Sequence, residues 1–177
     1  MSYDLTLFHV TEGVDVELAY RQLMERQESE IIQQEDWLKR PVSESARTEM
    51  RRLADALRSW RPELREFQPK SPLPWIELDD EQLEIQIHVY EQTVSITMPY
   101  FREPVQEMMK CVAGCLQIVE ATADYVAYDP QLGRIVAAAD LGEMVAQYRY
   151  MGKARAGILP HTTQSSTPAR KPWWKIW

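Results

Sequence analysis

The chain has 177 residues, 45% of them apolar and 27% charged, with six glycines and two cysteines, a balance that excludes collagen-like and glycine-rich disordered classes. A single domain of this length buries roughly 70% of the surface its unfolded form exposes, enough for a core without disulfide or metal staples. The net charge of -7 conceals two blocks of opposite sign: residues 1–152 hold 15 Lys and Arg against all 27 Asp and Glu, giving -12, while residues 153–177 hold five basic residues and no acid, giving +5.

An acidic body repels phosphate backbones, which argues against general nucleic-acid binding; the same sign serves solubility first and is complementary to a basic protein partner second. No stretch reaches the ~20 apolar residues of a membrane span, and MSYDLTLFHVTEG lacks the basic lead-in and long apolar run of a secretion signal. The expected location is the cytoplasm. Cys111 and Cys115 stand four apart in a helical pattern, a spacing poorly suited to a disulfide, so a reducing compartment is compatible with them.

In chain order, Tyr3 to Val10 is short, rich in β-formers and apolar on both faces, which predicts a central strand. Asp15 then stands at an N-cap position before VELAYRQLMERQESEII, where Val16, Ala19, Tyr20, Leu23, Met24 and Ile31 fall near one stripe. After Pro41, Ser43 or Ser45 caps a second helix with Met50, Leu53, Ala54, Leu57 and Trp60 at core spacing. Its other face carries Arg47, Arg51, Arg52, Arg58 and Arg61 interleaved with acids, the pattern of a solvated helix face. Residues 62–74 contain four prolines and no periodicity and are expected to be a connector.

The clearest pattern follows. Leu83, Ile85, Ile87 and Val89 alternate with Glu84, Gln86 and His88; after Tyr90-Glu91-Gln92, Val94, Ile96 and Met98 alternate with Thr93, Ser95 and Thr97. Two antiparallel strands with one buried and one wetted face are predicted, with Asp79-Asp80-Glu81 as the turn after a short strand over 75–78. Pro104 is placed as the first residue of a helix whose buried side is Val105, Met108, Met109, Val112, Leu116 and Val119. A strand over 125–128, a turn over Asp129 to Gly133, a short extended piece and a last helix over 137–151 complete the order. The expected class is α+β: an antiparallel sheet packed by helices, with a ferredoxin-like βαββαβ core plus an additional helix and short strand. Residues 1–152 form the single globular domain and residues 153–177 a basic polar linker ending in a tryptophan-rich tail.

No strong catalytic or cofactor motif stands out. His9, His88 and His161 are too scattered for a metal site, Cys111 and Cys115 read as buried small apolar residues, and Gly-rich phosphate loops and HExxH are absent, so no catalytic residue, metal or cofactor is expected. A small enzyme with a site at the sheet edge around His9, His88 and residues 125–129 is the alternative. MSYDLTLF together with YVAYDPQLGR resembles a loose group of small uncharacterised bacterial proteins that open on an MSYDL-type strand and carry a late YDPQ turn. That resemblance implies an accessory or immunity-type protein that binds another bacterial protein, such as a basic toxin.

The tail raises a separate expectation. KPWWKIW places Trp173, Trp174 and Trp177 beside Lys171 and Lys175 at the end of a Ser/Thr/Pro-containing run. Burying one large aromatic ring is worth about 2–3 kcal/mol, so these five residues are candidates for contact with their own acidic body or a second copy, with a heterologous partner next and a membrane surface last. On the body, the wetted strand face of Glu84, Gln86 and His88, continued by Ser95 and Thr97, is the candidate partner-binding surface. An oligomer subunit held together by the tail is the remaining structural alternative.

Overall fold

The computed structural model describes residues 2–11, 13–33, 41–69, 73–100, 103–155 and 157, with backbone alone at 30–33 and 155. The protein is α+β, with one seven-stranded antiparallel sheet and four α-helices among the described residues. In chain order these are β1 (Ser2–Phe8), α1 (Val16–Gln33), α2 (Glu44–Trp60), β2 (Arg65–Glu66), β3 (Ile76–Asp80), β4 (Ile85–Val89), β5 (Thr93–Pro99), α3 (Val105–Ala123), β6 (Val126–Asp129), β7 (Arg134–Val136) and α4 (Leu141–Arg155), the last entered through a 3-10 turn. The sheet runs β2-β3-β4-β5-β1-β6-β7. The first strand therefore lies inside the sheet, as expected, but its second face is mixed and not apolar, with half-buried Asp4 and Thr6 beside Phe8.

Period-two alternation sets the register. Tyr3, Leu5 and Leu7 lie opposite Met98, Ile96 and Val94, Ile87 lies between Ile96 and Leu78, and all of these are buried. This face meets the apolar stripes of α2 (Met50, Leu53, Ala54, Leu57) and α3 (Val105, Met108, Met109, Val112, Leu116, Val119), joined by Met144 and Tyr148 of α4, in one core. Burial of each such aliphatic side chain contributes about 1.5–3 kcal/mol. α1 lies on the opposite face, where the Tyr20 ring stacks on Tyr128 at 4.3 Å and approaches Phe8 at 6.1 Å. No described side chain of α1 is fully buried, whereas α2 and α3 have four and nine buried residues.

The caps follow the sequence. The Asp15 Oδ1 accepts from the Leu18 N–H at 2.8 Å at the start of α1, and Ser43, rather than Ser45, caps α2 through a bond from the Ala46 N–H at 3.2 Å. Pro104 is the residue before α3 and not its first helical position.

Four local expectations are corrected. β3 continues through Asp79 and Asp80, so the turn falls on residues 81–84, and Leu83 and Glu84 belong to it and not to β4. Glu84 adopts φ 55 and is exposed. Asp80 sits in the core phase of its strand and is tolerated because its carboxylate accepts from Arg61 Nε at 2.5 Å and from the Gln82 and Leu83 N–H groups at 3.0 and 2.9 Å. The proline-rich connector contains β2, and Thr93, expected on the wetted face, is 2% exposed and receives the Gln27 amide of α1 at 3.4 Å. Trp60, expected in the core stripe, is 39% exposed.

Candidate functional site

The sheet face opposite the core carries two transverse rows of polar side chains, set by register. One runs Glu77, His88, Ser95, Thr6; the other runs Asp79, Gln86, Thr97, Asp4. α2 is the helix that packs on β3 and β4, from the core side, and the side-chain contacts of α1 described above fall on Phe8, Thr93 and Tyr128. The polar phase of β4 and β5 that the sequence pointed to shares one sheet face, on which Gln86 is exposed while Glu77, Asp79, His88, Ser95 and Thr97 are half-buried. Gln86 and His88 lie on it; Glu84 does not.

At one corner the aromatic rings of Trp75, His88 and Tyr90 stand 5.9–6.2 Å apart, with His88 and Tyr90 stacked. Trp75 Nε1 reaches Glu77 Oε2 at 3.5 Å, and His88 Nε2 lies 3.6 Å from the same oxygen. Burial among these rings lowers the His88 pKa and outweighs the opposite pull of Glu77 and Asp79, so the imidazole is neutral at pH 7. Burial and the neighbouring Glu77 charge raise the pKa of both Asp79 and Tyr90. The corner is acidic, aromatic and short of water, suited to holding a basic or hydrogen-bonding group of a partner.

His9 and His88 do not meet. His9 is exposed just beyond the end of β1, and His88 is on β4, with β5 between the two strands. β4 is the third strand of seven and not an edge. Among the described residues no group of three or more His, Cys, Asp or Glu side chains could hold a metal ion, and no helix is long and apolar enough to cross a membrane. His161 and the tail candidates Lys171, Trp173, Trp174, Lys175 and Trp177 lie outside the described residues.

The two stretches quoted for the bacterial resemblance come together in space. The Tyr3 hydroxyl donates to the buried Asp129 carboxylate, and Asp129 Oδ1 also accepts from the Gln131 and Leu132 N–H groups at 2.8 and 3.1 Å. With its amide turned, Gln131 donates to Asp129 Oδ1 and to the Asp4 carbonyl, both at 3.0 Å. Tyr3, Tyr100 and Tyr148 pack ring against ring at 5.8–6.2 Å, and the Tyr148 hydroxyl donates to the Pro99 carbonyl at 2.5 Å. The arrangement anchors the turn to the central strand. Tyr3 and Asp129 are fully buried within it.

Cys111 and Cys115 are free and buried, as expected. A hydrogen bond from Cys115 and the Arg61 charge lower the Cys111 thiol pKa, while Cys115 is raised. Sequence reasoning missed Glu77 and Asp79, because the acidic run 79–81 resembles a turn. The signal that could have found them is the Ile76, Leu78, Asp80 phase, which puts residues 77 and 79 on the polar side. In comparisons with known proteins, the chain matches no family model, no curated protein and no solved structure.

Proposed function

We propose that this is a non-catalytic cytoplasmic binding protein of the accessory or immunity type, which engages a basic protein partner through the polar face of β3, β4 and β5 and through its C-terminal aromatic segment. The observation that carries the reading is the pair of polar rows ending in the Trp75, Glu77, His88, Tyr90 corner, on a body whose charge is -12 over residues 1–152. An acidic face with aromatic anchors meets a basic surface with complementary potential, and aromatic rings supply the desolvated contact area. The resemblance carried by MSYDLTLF and YVAYDPQLGR agrees with this class, and the Tyr3 to Asp129 bond gives the two stretches a shared structural purpose.

In the same reading the core is ferredoxin-like. The support is the order β4-β5-β1-β6, antiparallel throughout, with α2 between β1 and β4 in the chain and α3 between β5 and β6. β2, β3, β7, α1 and α4 are then additions.

The test is capture of a protein partner from the native host with the intact chain, a Gln86→Arg/Thr97→Arg variant and a chain lacking residues 170–177. Two cations added to the face should abolish capture of a basic partner without moving the melting temperature, since both side chains lie away from the core. Capture unchanged in both altered chains would dismiss the reading.

A further inference from the structure

A histidine and two carboxylates share the polar face of β3 and β4. Glu77 stands opposite His88, and Asp79 stands opposite Gln86, the neighbouring residue of β4 on the same face. His88 Nε2 lies 3.6 Å from Glu77 Oε2, with the two side chains 21% and 17% exposed. The rings of Trp75 and Tyr90 flank the imidazole at 6.2 and 6.0 Å. From β5 the imidazole faces Ser95, and α1 comes to that side through the Gln27 amide on Thr93, neither of which carries charge. Among the described residues the charged groups that act on His88 are therefore Glu77 and Asp79 of β3, with Tyr90 as the titratable neighbour on its own strand.

Nothing described on this face offsets the negative charge of Asp79. Its Oδ1 is buried and accepts no hydrogen bond, and the charges nearest it are the like charges of Glu77 and Glu81. An acceptor of that kind favours a proton, while an imidazole held among aromatic rings favours its neutral form. Burial accordingly moves the Asp79 pKa up from 3.8 and the His88 pKa down from 6.5, so the two titrations move toward each other in the mildly acid range. With both carboxylates ionised and His88 neutral, the three residues carry two negative charges. One proton on Asp79 and one on His88 leave them with no net charge.

Resting on the reading of this face as the seat of a basic partner, we propose that Glu77, Asp79 and His88 form a proton-operated release device: near neutral pH the carboxylates attract a cationic group of the partner, and proton uptake by His88 and Asp79 on mild acidification releases it. The His88 cation then lies beside Glu77, so the face supplies its own positive charge to the carboxylate that the partner had used. Linkage fixes the sign. A cation bound here favours the forms without the protons, so binding expels protons and affinity falls as pH falls.

The experiment is an NMR titration of the full chain with end-blocked decalysine at low salt, at about pH 7.5 and about pH 5, on either side of the histidine range. The signal is the indole Nε1–H resonance of Trp75, identified by its loss in Trp75→Phe. The parent should bind the peptide about tenfold or more weakly at the lower pH. His88→Gln/Asp79→Asn cannot take up either proton and should lose most of that difference; whatever His9 and His161 contribute is common to both chains. Should the double variant fail to fold by circular dichroism, His88→Gln decides, with a pH response smaller than the parent's. Equal affinities of the parent at the two pH values, or a folded variant as pH-sensitive as the parent, overturns the release device and leaves the basic-partner reading standing. A Trp75 resonance that decalysine does not move at the higher pH overturns both.

Discussion

Asp129 is fully buried, and its carboxylate is the acceptor for one hydroxyl and two backbone N–H groups. Asp129→Ala strands these donors away from water and should cost about 2–4 kcal/mol in urea denaturation. Asp129→Asn keeps an oxygen for the Gln131 and Leu132 N–H groups and removes the charge, so it separates hydrogen bonding from ionisation. Burial raises the Asp129 pKa above 3.8, although the Tyr3, Leu132 and Gln131 bonds oppose the shift. A carboxyl whose folded pKa exceeds its unfolded value binds its proton more tightly in the native chain. Its ionisation therefore weakens the fold above the folded pKa, and that penalty fades as pH falls towards 3.8. Between neutral pH and pH 4 the parent should gain stability relative to Asp129→Asn, measured as urea midpoints at each pH. Parallel profiles for the two proteins would mean that this carboxyl does not titrate differently on folding.

Among the helices, α2 and α3 meet where a tryptophan lies over a glycine. A Cβ added to Gly114 would fall 2.0 Å from Trp60 Cζ2 and 2.5 Å from Cη2, so the indole occupies the space that any side chain would need. Glycine inside a helix costs about 1 kcal/mol relative to alanine, and the close approach is what this position gains in exchange. Gly114→Ala should destabilise the parent by about 1–3 kcal/mol through overpacking. In a Trp60→Ala background the same change should stabilise by about 0.5–1 kcal/mol, because only helix propensity remains. A double-mutant cycle by thermal or urea unfolding reads the change of sign directly, and an unchanged sign would show that the indole swings aside freely. The sequence made α2 and α3 legible because their stripes repeat, yet it put Trp60 inside the stripe, since spacing alone cannot show that its ring is spent on a glycine of another helix. β4 and β5 were legible for the same reason in period two, and with them Gln86 and His88. Asp80 defeated the pattern at β3: a buried acid in the core phase is stable only with Arg61, 19 residues away, and that pairing leaves no local trace. The acidic half of the candidate site, Glu77 and Asp79, was lost with it. Tyr3 and Asp129 lie 126 residues apart, so both stretches could be quoted from the sequence while the bond joining them could not.

For the whole molecule the governing fact is charge: -12 over residues 1–152 against +5 over residues 153–177. Both edges of the sheet are charged as well, β2 through Arg65 with Glu81 and Glu66 with Arg51, and β7 through Arg134 with Asp140 and Glu143. Edges of that kind oppose strand addition, so attraction between copies or between tail and body has to come from elsewhere. The proposed docking of the tail rests on composition: two lysines and three indoles in residues 171–177, and acidic and aromatic groups on the body's polar face. Removal of residues 170–177 should therefore lower the melting temperature at low salt, by about 2–4 °C for each kcal/mol of docking lost. Screening shortens the reach of charge from about 10 Å at 0.1 M salt to about 3 Å at 1 M, so the difference between intact and shortened chains should narrow there without vanishing, the remainder being indole burial. Sedimentation of the same samples distinguishes docking on the chain's own body, at constant mass, from exchange between two copies, where mass falls on deletion. Identical melting and identical mass at both salt concentrations would release the tail from any contact with its own chain and leave the tryptophans to a heterologous partner.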